Sequence, residues 1–86
     1  MPVTVRLFAR LREIAGADEL TRELSGATTV HDVWSALADE WPALAPYAAS
    51  LSCAVNAQYA RMHTAVQEGD EVAFLPQFRA DEYRHW

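Results

Sequence analysis

The sequence contains no lysine, a single cysteine and only three glycines, the last of them Gly69. No apolar run approaches the roughly 20 residues of a membrane-spanning helix. Each shortage excludes something. Without lysine, the seven basic residues are all arginine, and they face twelve acids for a net charge of −5. Such a chain lacks the basic stripe that nucleic-acid binding requires. It is also repelled by anionic membranes. One cysteine, Cys53, excludes an internal disulfide and a cysteine-only metal site. Widely spaced glycines exclude a phosphate loop and a dinucleotide fingerprint. The start, "MPVTVRLFAR", has no basic segment leading into an apolar one, because Arg6 interrupts it. The expectation is a cytoplasmic protein that binds neither nucleic acid nor membrane.

What is present fills one small domain. A chain of 86 residues buries about 60–65% of its unfolded surface, enough for one modest core. Val3–Ala9, "VTVRLFA", alternates, with Val3, Val5 and Leu7 on one face and Thr4, Arg6 and Phe8 on the other. That period predicts a half-buried strand. A short helical turn and a loop with Gly16 follow. Glu19–Leu24 is then expected as a second strand, antiparallel to the first.

Residues 25–42, "SGATTVHDVWSALADEWP", carry the clearest element. Thr29 suits an N-cap, and Asp32 three residues later completes a capping-box pair. Val30, Val33, Trp34, Leu37, Ala38 and Trp41 form one apolar helical stripe. Pro42 ends the helix. After a compact connection, Ser52–Ala57 reads as a strand with Cys53 and Val55 inward. "NAQYAR" adds a turn and a short strand. Gly69 marks a turn needing positive φ. Glu71–Pro76, "EVAFLP", is apolar on both faces, which predicts a central strand.

This order, strand–strand–helix–strand–short strand–strand, predicts an α+β ubiquitin-like β-grasp fold over residues 1–76. Its mixed sheet has four or five strands, with one main helix on one face and the last strand parallel to the first. Residues 77–86 form a tail, read as a linker or docking segment.

The sequence supplies no self-contained active site. His31, His63 and His85 have no metal-ligand spacing, so no metal is expected. Cys53 reads as a small buried hydrophobe. Acid pairs such as Asp39–Glu40 read as solvated surface. The better lead is apolar surface. Phe8 points away from Val5 and Leu7, and it meets either Phe74 or Leu75 on the helix-free face if the first and last strands are neighbours. Arg6, Arg10 and Arg12 would rim that patch, which reads as a partner-binding surface.

Four stretches, "VRLFARLREIAGADE", "TTVHDVWSAL", "AVNAQYA" and "EGDEVAFLP", resemble the small subunit of molybdopterin synthase, the MoaD-type sulfur carriers. The resemblance spans Val3 to Pro76. It implies a ubiquitin-like carrier that holds no cofactor of its own. A partner enzyme adenylates its carboxyl end with ATP, and that end becomes a thiocarboxylate. The large synthase subunit then receives the tail, and the sulfur passes to a molybdopterin precursor. By resemblance, Phe8, Arg12, Leu75 and Pro76 face the partner; Phe74 is included with them as the alternative to Leu75 in the apolar patch.

Family tails end in Gly-Gly, whereas residues 77–86 read "QFRADEYRHW" and hold no glycine. An alternative is therefore a non-catalytic β-grasp binding module. It would keep the partner face and use Phe78, Tyr83 and Trp86 to dock its tail on itself, on a second copy or on a partner. An isopeptide modifier ranks last, since the chain has neither Gly-Gly nor an acceptor lysine.

Overall fold

The computed structural model describes residues 1–26 and 28–76. The alternating segment at the start forms β1 (Pro2–Leu7), with Val3, Val5 and Leu7 buried. Helix α1 (Arg10–Ala15) follows at once and buries Leu11. Strand β2 (Glu19–Glu23) returns antiparallel to β1, with Val5 opposite Leu20 and Arg6 opposite Glu19.

Helix α2 (Val30–Glu40) begins at the predicted capping box. The Thr29 N–H donates to Asp32 Oδ2 at 2.9 Å, and the Asp32 N–H donates to Thr29 Oγ1 at 3.3 Å. The stripe Val30, Val33, Trp34 and Leu37 is buried against the sheet. The chain leaves this helix through Trp41 into a 3-10 helix, Pro42–Ser50, held to the core by Leu44. Strands β4 (Leu51–Val55) and β5 (Gln58–Ala60) form a hairpin, and β7 (Glu71–Pro76) closes the fold.

The main sheet has five strands in the order β2-β1-β7-β4-β5. The β1–β7 pair is parallel and the other pairs are antiparallel, so β7 is central as its double apolarity required. This is the ubiquitin-like β-grasp arrangement that the element order predicted.

One feature lies outside that expectation. Strands β3 (Thr28–Thr29) and β6 (Ala65–Val66) form a separate two-stranded sheet at the start of α2. Two more bonds extend that anchor, from the Val30 N–H to the Thr64 carbonyl and from the His31 N–H to the Met62 carbonyl. They satisfy donors that a helix start leaves free.

Candidate partner-binding face

Register decides which side chains reach the helix-free face. In β1 these are Thr4 and Arg6, and in β7 they are Glu71, Ala73 and Leu75. Across β7, Ser52 pairs with Leu75 and Ala54 with Ala73. Tyr59 of β5 stands opposite Ala54 and is 74% exposed. Small side chains at Ala54 and Ala73 leave the middle of the face low, with Tyr59 at one side and Phe8 and Leu75 at the end where β7 finishes.

Phe8 is where the alternation put it. It follows the pair Leu7–Phe74 on the outward side and is 36% exposed. The Arg6 guanidinium stands over its ring, 5.7 Å from the centroid. Arg6 also reaches across both neighbouring strands, with Nε 3.7 Å from Glu19 and Nη1 3.8 Å from Glu71. At that exposure and distance each pair adds about 0–1 kcal/mol. Neither is a hydrogen bond, and the buried Nε–H finds no acceptor among the described residues. Arg10 and Arg12 are exposed on α1 just beyond Phe8, Arg10 beside Glu13 at 3.5 Å. Leu75 and Pro76 are half-buried at the end of β7.

Phe74 corrects the sequence reading. It is fully buried on the opposite face, packed against Trp34 of α2 with ring centroids 5.1 Å apart. Its register partners, Leu7 and Cys53, are also buried. A side chain in that position touches no partner, so Leu75 and not Phe74 belongs to the outer face. Tyr59 escaped the sequence reading. The signal that could have placed it is the two-residue turn at Asn56–Ala57, which sets Val55 opposite Gln58 and so turns Tyr59 outward.

Phe78, Tyr83 and Trp86, expected as docking anchors, lie outside the described residues. Among the described residues no three metal-binding side chains cluster, and no helix is long and apolar enough to cross a membrane.

A five-stranded sheet backed on one face by a capped helix, with an opposite face that no helix covers among the described residues, defines the chain as a small ubiquitin-like β-grasp domain. It belongs to the ThiS family, which it matches over residues 5–78. It is 35% identical over 78 residues to a molybdopterin synthase sulfur carrier subunit from Chlamydomonas reinhardtii, an alignment covering 88% of this chain and 94% of that one. The protein of the same name from Mycobacterium tuberculosis is also 35% identical over 78 residues, with 87% and 92% covered. Among solved structures, small archaeal modifier protein 1 of H. volcanii superposes with a TM-score of 0.80 at 29% identity, covering 90% of this chain and 98% of that one.

Proposed function

We propose that this chain is the sulfur-carrier-type small subunit of a molybdopterin synthase, working in molybdenum cofactor biosynthesis. The carrying observation is the exposed Phe8 beside Arg6 at the end of the sheet where β7 leads into residues 77–86. An aromatic ring 36% exposed, next to an arginine whose Nε–H finds no acceptor among the described residues, is the pairing that interfaces concentrate. The names of the relatives supply the partner class.

In this reading the large synthase subunit covers the helix-free face around Phe8, Arg12, Leu75 and Pro76. The chain itself supplies no reacting side chain. Its part is to be gripped, so that the segment after Pro76 is aimed into the partner's site. A separate enzyme adenylates the carboxyl end of the carrier with ATP, a sulfur donor displaces the AMP, and the thiocarboxylate passes its sulfur to a pterin precursor. Such ATP-dependent activation belongs in the cytoplasm. Glycine suits the reacting end because a backbone without Cβ can thread a narrow channel.

Docking and sulfur chemistry are tested separately. Titration calorimetry against a purified synthase large subunit reads docking. Phe8→Asp is expected to weaken binding at least about tenfold, near 1.4 kcal/mol. Equal affinity of the two proteins would overturn the docking surface. For the chemistry, the chain as written and a variant with residues 77–86 exchanged for an arm ending in Gly-Gly are each incubated with adenylating enzyme, ATP and a sulfur donor. Intact mass should show one oxygen replaced by sulfur, and a gain in the Gly-Gly variant with none in the parent would overturn the carrier role of the chain as written.

A further inference from the structure

We propose that Ala9 is a positioning residue. Its left-handed backbone holds Phe8 on the open face, and its geometry rather than its side chain does the work. The proposal rests on the docking reading above for what Phe8 then does.

Leu7 and Leu11 are both fully buried, whereas Phe8 between them is turned outward. Only Phe8, Ala9 and Arg10 are available to leave β1, reverse the chain and return Leu11 to the core. They do so in a closed turn, with the Leu11 N–H donating to the Phe8 carbonyl at 3.1 Å. Ala9 takes φ 53°, ψ −129°. These are the angles of the first central position of a type II′ turn, where glycine dominates because a Cβ is crowded there. Alanine gains nothing locally from this conformation, so the surroundings impose it. Those surroundings are the buried leucines on either side and the Ala9 carbonyl, which accepts from the Glu13 N–H at 3.3 Å as α1 begins.

The consequence falls on Phe8. With Leu7 and Leu11 both fixed in the core, an ordinary negative φ at position 9 has to be absorbed by the neighbouring dihedrals. The Phe8 ring then leaves its place beside Arg6, where the guanidinium lies 5.7 Å from its centroid. A strained residue next to an interface aromatic is thus explained by the requirement to end the strand one residue after Leu7 while keeping the ring on the outer face.

The test compares Ala9→Gly, which accepts the left-handed geometry, with Ala9→Val, whose branched Cβ rejects it. Two readouts are needed. The ring-current shift of Phe8 on the Arg6 side-chain protons reports position. Calorimetric affinity for the large subunit, in Phe8 and Phe8→Ala backgrounds, reports docking. Ala9→Gly should keep both the shift and the affinity. Ala9→Val should lose the shift, weaken binding about as much as Phe8→Ala, and cause no further loss when the two are combined. Retention of the Arg6 shift in Ala9→Val, or an equal loss of affinity with and without Phe8, would overturn the proposal.

Should Ala9→Val lose its dispersed amide spectrum, D-alanine at position 9 decides the matter. It keeps the methyl group and favours positive φ, so it should preserve shift and affinity and raise Tm, and loss of the shift overturns the proposal. If Phe8→Ala leaves affinity unchanged while Ala9→Val abolishes the Arg6 shift, the docking reading falls and the positioning of Phe8 stands.

Discussion

Trp34 and Phe74 meet at the centre of the core, with ring planes tilted by 55° and centroids 5.1 Å apart. Such tilted aromatic pairs add about 0.5–1.5 kcal/mol beyond the area they bury. The pair ties the middle of α2 to the central strand, and it turns the inner face of the sheet into the one that carries stability. The outer face carries Phe8 and Leu75 instead. The two aromatic residues at the carboxyl end of the β1–β7 pairing, Phe74 in its last pair and Phe8 just beyond it, therefore have separable jobs.

That separation is measurable by urea denaturation. Phe74→Ala should destabilise the fold by about 3–5 kcal/mol, enough to threaten folding in a chain this small. Phe8→Ala, with its ring 36% exposed, should cost about 1–2 kcal/mol, clearly less than Phe74→Ala. Similar losses for the two variants would contradict the assignment of faces.

Asp70 predicts an acid-side dependence of stability. Its carboxylate accepts from the Gln67 N–H at 2.8 Å and from Asn56 Nδ2 at 3.0 Å. These bonds, the Gln67 one first, hold its pKa below the ordinary aspartate value. A lowered folded-state pKa means that the unfolded chain takes up the proton first as pH falls. The stabilisation is therefore complete above the unfolded value of about 3.9, and it is lost as pH drops below this through the folded value. Asp70→Asn should be less stable than the parent at pH 7, with the gap closing toward pH 2. A gap that stays constant with pH would refute the linkage.

Ala57 occupies the second central position of the β4–β5 hairpin at φ 69°, after Asn56 at φ 51°. Asn56 tolerates this region and uses it. Its side chain accepts from the Glu71 N–H at 2.9 Å while donating to Asp70, so the hairpin is clasped to the start of β7. Ala57 has no such compensation, and a left-handed alanine costs about 1–2 kcal/mol. Ala57→Gly should stabilise the protein by about 1 kcal/mol after the added flexibility of the unfolded chain is subtracted. A lowered denaturation midpoint would count against it.

Cys53 sits in the core opposite Phe74, and burial raises its thiol pKa. Little thiolate forms at neutral pH, and what forms is shielded. Labelling with a thiol-specific disulfide reagent should be slow in buffer and fast in urea, its native rate following global opening. Full labelling within the mixing time in buffer would refute the burial argument.

How much of this was legible depended on the kind of signal. The α2 stripe and the Thr29–Asp32 capping box were readable because a helix writes its buried face into the sequence with a period near 3.6. Gly69, at φ 85°, was readable because the turn demands what only glycine gives easily. The short strands β3 and β6 were not readable, since two residues cannot display a period. The choice between Phe74 and Leu75 was not readable either, because β7 is apolar on both sides.

Taken alone, the sequence determined the order of the main elements, the central place of β7, and Phe8 as the residue facing away from Val5 and Leu7. Alternation labels two faces of a strand, and local composition marks the helix that will cover one of them. Only the tertiary structure decided which face of β7 that helix covers, through the register that sets Phe74 beside Leu7 and Cys53. It alone also placed Ala9 in a conformation that its own residue type disfavours. Both decisions come from packing between segments distant in the chain, and no local pattern records a distant neighbour.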